Sequence, residues 1–497
     1  MRTCLFLLSA IPAVAATCDS LQTLKLPDTT ISLVQEVAEG AYAPAAQGKQ
    51  GNNDAFKGLP AFCRVAVSMK PSPDSDIKME LWLPASGWNG NFLGTGNGGW
   101  VGSINAATLA NGLRRGYAVA NSDLGHEGGS ASFALGHPEK VIDFAYRATH
   151  EMTVKSKALI KAYYGRDPKV NYFEGCSAGG RQAFEEAQRF PADYDGIVAG
   201  SPGVNWTGRS AQAVWIGQQT HKDETTALPQ AKFQVIKDAV LAACDALDGV
   251  KDGVLENPRK CQFDPKVLAC TAAEMPTCLT AGQIDTVRKI YASVTNPRTK
   301  QEIFPGHEPA SEAGWSTMAG PNPFGLGTDL FKYVVFENPN WDYKTFNFDS
   351  DMELTLKKGG SMNALDPNLK PYFDRGGKLI QYHGWADPQI SPGSSVNYYA
   401  SVADKLGGAS KIGNNYRLFM VPGMAHCGGG DGTSSFDMLG AMEKWVETKK
   451  APDQIPAARI RNGQTDRTRP LCPYPQVAVY SGSGSIDDAA NFSCKER

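Results

Sequence analysis

The pentapeptide Gly175-Cys176-Ser177-Ala178-Gly179 constrains the fold more than any other stretch of this 497-residue chain. A β-type run, Val170–Glu174, leads into it, and a helix-forming stretch, Arg181–Phe190, leads out. Alone, G-x-S-x-G is a glycine turn carrying an ordinary surface serine. Between a strand and a helix it has the form of a nucleophile elbow. The glycines permit a sharp turn that lifts the Ser177 hydroxyl clear of a sheet, and the following N–H, on Ala178, faces a developing oxyanion. Such a turn needs a sheet whose strands feed helices. Gly90–Gly94, Tyr117–Asp123, Gly196–Gly200, Lys378–His383 and Tyr416–Val421 read as short buried strands, and Ala145–Tyr164 as a helix with an apolar face. Strands alternating with helices imply the α/β class with a mostly parallel sheet.

An elbow also needs a carboxylate and a histidine, in the order Ser, Asp or Glu, His. Only His383 and His426 lie in the C-terminal third. His426 follows the strand ending at Val421, in Pro422-Gly423-Met424-Ala425-His426-Cys427, and Asp387 follows His383 in Gly384-Trp385-Ala386-Asp387-Pro388. Both sit just past strand C-termini, where an open α/β sheet collects its reactive groups. In this reading Ser177 attacks an acyl carbon, His426 takes its proton, and Asp387 orients the imidazolium. His383 reads as a strand-end histidine satisfied by hydrogen bonds. The loop Thr95-Gly96-Asn97-Gly98-Gly99-Trp100 follows an early strand and offers a second oxyanion donor, Gly99 or Gly98. Its plain alternative is a flexible glycine turn.

Composition and the N-terminus bound the setting. Apolar residues make up 42% and charged residues 20%, so a sizeable core can be buried. Lys plus Arg total 49 against 51 Asp plus Glu, for a net charge of −2, which offers no electrostatic footprint for nucleic acid or an anionic membrane. Met1–Arg2–Thr3, the apolar run Cys4–Ala16 and the small residues Ala13 to Ala16 form a secretory signal, cleaved near Ala16 or Thr17. No other window is long and apolar enough to span a membrane. The mature chain is therefore expected outside the cell. Of 11 cysteines, removing Cys4 leaves an even number, which in a secreted protein suggests disulfides, and their scatter argues against zinc. Asn205-Trp206-Thr207 and Asn491-Phe492-Ser493 are acceptor sequons for glycosylation at Asn205 and Asn491.

Between Asn205 and about Asp366 the βαβ rhythm stops, while Asn-Pro pairs, aromatic residues and four cysteines accumulate. Ser177 and Asp387 lie 210 residues apart, far more than one strand and one helix require. Residues 205–366 read as an inserted domain, with 17–204 and 367–497 as the two parts of the sheet domain. Inside the insertion, Asp245, Asp248 and Asp252 recur at spacings of three and four between glycine turns. Such carboxylates converge on a hard cation or form a solvated acidic turn. The spacing is not that of an EF-hand.

Cys176 precedes the proposed nucleophile and Cys427 follows the proposed base. This Cys-Ser … Asp … His-Cys arrangement resembles the fungal tannase and feruloyl esterase family, in particular its feruloyl esterase B-like members, a family that also includes a bacterial mono(2-hydroxyethyl) terephthalate hydrolase. The resemblance spans essentially the whole mature chain. It implies an α/β-hydrolase fold with a large inserted lid domain, and five disulfides: Cys18–Cys63, Cys176–Cys427, Cys244–Cys261, Cys270–Cys278 and Cys472–Cys494. It also implies a structural lid calcium held by the side chains of Asp245, Asp248 and Asp252 and the carbonyls of Val250 and Val254. The implied activity is that of a secreted serine esterase acting through an acyl-enzyme on plant cell-wall or soluble hydroxycinnamate esters. A tannase cleaving gallate esters is the alternative within the family. A catalytically silent hydrolase-fold adhesion protein is the alternative outside it. Lid aromatics such as Trp315, Phe324, Phe331, Tyr333 and Phe336 are able to stack on a phenolic ring, although each taken singly reads as lid core.

Overall fold

Strands that are apolar on both faces must be covered on both sides, and these are. A computed structural model describes residues 17–44 and 53–496, so the expected signal, 1–16, lies outside the described residues. Its centre is a nine-stranded sheet built from β1 (Thr29–Val37), β2 (Phe62–Met69), β3 (Ile77–Pro84), β4 (Phe92–Thr95), β5 (Ala118–Ser122), β6 (Asn171–Cys176), β7 (Gly196–Gly200), β8 (Lys378–Gly384) and β9 (Tyr416–Val421). Their order is β1-β2-β3-β5-β4-β6-β7-β8-β9. From β5 to β9 every pairing is parallel, as the sequence implies. Strands β1, β2 and β3, which add an antiparallel edge beside β5, were not legible, because no helical crossover marks them, and β2 alternates buried and half-buried positions. Period-two alternation of that kind suits an antiparallel edge strand with one wetter face.

Helices α1 (Ala106–Arg114), α2 (Ala148–Tyr164), α3 (Ala178–Arg189), α4 (Trp206–Thr220), α5 (Gln230–Cys244), α6 (Ala281–Tyr291), α7 (Gly393–Leu406) and α8 (Met438–Thr448) supply the other layers. Met152 and Leu159 of α2, Phe184 of α3 and Tyr398 and Val402 of α7 join one core with Leu379, Tyr416 and Leu418. Leu109 and Leu113 of α1 and Met442 and Trp445 of α8 join the other with Ile380, Phe419 and Val421. Successive residues of β8 and β9 thus enter opposite cores, which is the period of a strand.

Residues 201–377, between β7 and β8, contribute no strand to the large sheet. They hold a third core of Ile236, Val240, Val287, Ile290 and Trp315. Trp315 and Phe331 are completely buried. Phe331 packs with Phe336, Trp341 and Phe346, so these rings serve the segment's own packing. After α8 come two antiparallel hairpins, β10 (Ile455–Arg461) with β11 (Gln464–Leu471) and β12 (Val477–Tyr480) with β13 (Phe492–Lys495). All five disulfides are present with the expected partners.

Candidate active site

Ser177 links β6 to α3 with φ +64° and ψ −119°, a region that a non-glycine residue occupies only when its surroundings enforce it. Here they do. The Ser177 N–H donates to Gly200 O on β7 at 2.9 Å, and Ser177 O accepts from Arg181 N at 3.1 Å. A Cβ on Gly175 would come within 2.5 Å of Gly179 O, so the turn closes only over glycine. The loop after β4 lies against it. A Cβ on Gly96 would come within 2.5 Å of Gly179 Cα, and Asn97 N–H donates to Gln182 Oε1 at 3.0 Å. Gly96 and Asn97 thus make the close contact with α3, while Gly98 lies in open space and Gly99, at φ +52°, faces Leu326. The N–H of Ala178 belongs to the first turn of α3, whose donors have no intrahelical acceptor.

Asp387 and His426 meet across the loops after β8 and β9. His426 Nδ1 lies 2.7 Å from Asp387 Oδ2, and Cys176–Cys427, at 6.0 Å between Cα atoms, links the residue before Ser177 to the residue after His426. Asp387 is completely buried, and four donors surround its carboxylate. Oδ1 accepts from Gln389 N at 2.8 Å and Ile390 N at 3.0 Å, and Oδ2 accepts from His426 and from His383 Nε2 at 3.1 Å. Burial alone would raise its pKa. The charge on His426 and the hydrogen bonds of His383 and His426 outweigh burial and hold the carboxyl far below the usual range.

Two further groups reach this corner from the segment between β7 and β8. Arg209 of α4 is buried against the rings of Trp206 and Phe324, and its Nε and Nη1 find no partner among the described residues. Burial lowers it to about 10, against the pull of Asp387. Burial likewise lowers His307 to about 4, again opposed by Asp387. Neither residue stood out in the sequence, because nothing local marks a side chain that meets its partner only through the fold. The direct bond from His383 to Asp387 was equally hidden.

The acidic run was expected to hold calcium. Asp248, Val250, Asp252 and Val254 line one cavity of about 20 Å³, together with Glu256, Arg467 and Arg469. Carboxylates and carbonyls are the hard oxygen donors calcium takes, and the cavity admits a single ion or water. These residues fit the ion. Asp245 stands apart, its carboxylate accepting from Asp252 N at 3.3 Å and Gly253 N at 3.1 Å. Two arginines of β11 reach Asp252 Oδ2, Arg469 at 2.5 Å and Arg467 at 3.2 Å. Elsewhere, His150, Glu186 and Asp193 form a possible metal-binding group, with ligand atoms within 4.8 Å of one another.

The first sequon asparagine, Asn205, sits at the N-cap of α4. Its side chain caps α4, accepting from Gly208 N at 2.9 Å, while Nδ2 donates to Ile303 O at 3.2 Å, and Thr207 is completely buried. Asn205 is half-buried and serves as a helix cap. Asn491 is half-buried, its Nδ2 donating to Ser485 O at 2.9 Å.

A sequence model described as tannase and feruloyl esterase matches residues 63–495. An uncharacterized esterase of Xanthomonas campestris is 38% identical, over 99% of this chain and 95% of its own. A probable feruloyl esterase B-1 of Aspergillus oryzae is 34% identical, over 89% of this chain and 86% of its own. The crystal structure of feruloyl esterase B from Aspergillus oryzae superimposes with a TM-score of 0.90 at 32% identity, covering 96% of this chain and 99% of that one. Tannin acyl hydrolase from Aspergillus niger, at 23% identity and a TM-score of 0.80, shares the fold. With an elbow at the end of β6 and an α/β-hydrolase sheet around it, the chain belongs to the tannase and feruloyl esterase family of carboxylic ester hydrolases.

Proposed function

We propose that this protein is a secreted serine esterase that hydrolyses hydroxycinnamate esters, with Ser177 as nucleophile, His426 as general base and Asp387 as the group that orients it. One observation carries the assignment. Asp387 Oδ2 receives His426 Nδ1 at 2.7 Å, and the Cys176–Cys427 bond joins that histidine's loop to the elbow bearing Ser177. With Nδ1–H held by the carboxylate, Nε2 is the ring atom left to take the serine proton. Ser177 Oγ then adds to the ester carbonyl, and the oxyanion is received by the N–H groups of Ala178 and of Gly99 or Gly98. His426 returns the proton to the departing alcohol. Water, activated by the same imidazole, then releases the acid from the acyl-enzyme.

The relatives named feruloyl esterase B favour hydroxycinnamates over gallates as the acyl group. Residues 205–366 act as a lid over the triad in this reading, and Asp248, Asp252, Val250 and Val254 hold a calcium ion that braces it, with Asp245 tying the backbone of the same loop. The ion's part is structural, since its carboxylates belong to the segment between β7 and β8. The five disulfides suit an oxidising compartment, which supports secretion.

Initial rates on methyl ferulate, methyl gallate and a p-nitrophenyl ester test the assignment together. Turnover of ferulate above gallate is expected, and Ser177→Ala should lower it about 10⁴-fold or more. Preference for gallate would make the enzyme a tannase. Failure to cleave any ester would overturn the esterase reading.

A further inference from the structure

Gln381 and His383 are polar residues two apart in β8, so they share a face, and both are completely buried. Across that face, α7 presents Ser395 and β9 presents Tyr416, both completely buried as well. Their contacts form one chain. Tyr416 OH meets Gln381 Oε1; Gln381 Nε2 lies 2.6 Å from Ser395 Oγ; Ser395 Oγ lies 2.6 Å from His383 Nδ1; His383 Nε2 lies 3.1 Å from Asp387 Oδ2 and 3.1 Å from Ile390 O.

The chemistry of the partners fixes every proton in this chain. A carboxylate and a carbonyl only accept, so His383 must carry its proton on Nε2. Its Nδ1 then holds a lone pair, and Ser395 must donate to it. The serine oxygen is thereby left to accept from the amide of Gln381, whose carbonyl end accepts from Tyr416. All donors point toward Asp387. A charged His383 would reverse Ser395 and leave its hydroxyl proton buried without an acceptor among these groups, which is costly. The chain therefore keeps His383 neutral.

We propose that His383 is a positioning residue of the catalytic corner: held as the Nε2–H tautomer by Tyr416, Gln381 and Ser395, it fixes Asp387 so that the carboxylate presents Oδ2 to His426. The proposal rests on the assignment of Asp387 and His426 made above. The carboxylate has no rotational freedom left, since Gln389 and Ile390 hold Oδ1 and the two imidazoles share Oδ2. His383 also competes with His426 for that oxygen. Its removal should loosen the orientation of Asp387 and at the same time strengthen the pull of Asp387 on a protonated His426.

His383→Ala should therefore lower kcat on a p-nitrophenyl ester about 10–100-fold, with KM unchanged within about 2-fold. The acid limb of the kcat/KM profile should move to higher pH. His426, His383, His307 and Arg209 all face Asp387, so the same profile for His307→Gln and Arg209→Met controls for the other two groups. His383→Gln, which keeps a donor toward Asp387, should recover part of the loss, and Ser395→Ala should give a smaller loss of the same kind. Nitrogen-detected NMR of the histidine rings in the unmodified protein gives an answer that does not depend on any variant folding. An Nε2–H neutral pattern for His383 is expected. A charged or Nδ1–H ring would overturn the proposal. So would a folded His383→Ala enzyme with unchanged kcat and pH profile. Labelling of Ser177 by a fluorophosphonate separates the two ideas: a protein that neither takes the label nor turns over ester fails as an esterase, whereas one that does both with unaltered His383→Ala kinetics fails only this proposal.

Discussion

Asp387 and Glu312 are both carboxylic acids with no exposed surface, one at the end of the sheet and one in the segment packed against it. The two regions touch, since a Cβ on Gly314 would come within 2.5 Å of Pro388. Yet burial has opposite outcomes in them. Asp387 has four donors, two of them imidazoles, and stays far below the usual carboxylate range. Glu312 accepts on Oε1 from the Tyr291 hydroxyl at 2.5 Å and from Ala310 N at 2.9 Å, while Oε2 has no partner among the described residues, and burial pushes it up to about 7. Burial sets the penalty for charge, and the number and kind of donors decide whether the charge survives it. The corner around Asp387 is built to hold an ion. The segment packed against it holds an acid whose charge burial disfavours.

Asp387→Asn breaks the comparison most severely, because it removes the charge that four donors hold in the corner. The amide donates where the carboxylate only accepted, which disturbs the tautomer of His426, and kcat should fall by about 10⁴-fold. Stopped-flow or steady-state rates on methyl ferulate check it, and a loss below tenfold would remove Asp387 from the triad.

Replacing Cys176 and Cys427 together with Ala asks how much of the corner is held covalently. The bond spans a sequence separation of 251, and loop-entropy models assign such a closure about 5 kcal/mol, often more than is measured. Activity should fall about 100-fold, because displacements near 1 Å are enough for that. Rates compared with denaturant midpoints distinguish the two effects. Equal activity in both forms would mean that hydrogen bonds alone set the geometry.

Chelation tests the segment itself. Without a cation the carboxylates of Asp248 and Asp252 share a small cavity with Glu256, and two arginines are the nearest compensation. The melting temperature should fall with EDTA and recover with calcium, and Asp248→Ala should show less of this response. Metal analysis of the purified protein must accompany it, and absence of calcium there would refute the site.

Glu312→Gln should have the smallest effect. With its folded value raised to about 7 from the usual 4.5, Glu312 binds its proton more tightly in the folded state, so the stability it contributes is present below the usual value and is lost as pH rises toward 7. Glutamine titrates nowhere in this range. The variant should therefore melt above the parent at pH 8, lose that advantage near pH 4, and keep its activity. Parallel melting curves across this range would mean that Glu312 stays charged.

The chemical skeleton was legible in the sequence because it is local. A strand, a glycine-flanked serine and a helix follow one another at Val170–Phe190, and Asp387 and His426 each sit a few residues past a strand end. The parallel half of the sheet followed from the same rhythm, and Gly196–Gly200 and Tyr416–Val421 came out with the boundaries the sequence implies. The family resemblance supplied the disulfide partners, which ten scattered cysteines leave open. The antiparallel pairing of β1, β2 and β3 and the capping of α4 by Asn205 were not legible, the first for want of a crossover helix and the second because a sequon does not reveal the hydrogen bonds its side chain makes.

What only the tertiary structure decided is how side chains distant in sequence share protons and charge. Tyr416, Gln381 and Ser395 are unremarkable one by one, and they become a directed chain only because parallel pairing sets β9 beside β8 and α7 packs on that face. Arg209 and His307 reach Asp387 from across a long insertion, and Arg467 and Arg469 reach Asp252 from β11. The sequence by itself determined which chemistry is available, since residue type and local backbone geometry are read along the chain. The fold decided which groups are charged, since charge in a protein interior depends on burial and on donors that only packing brings together.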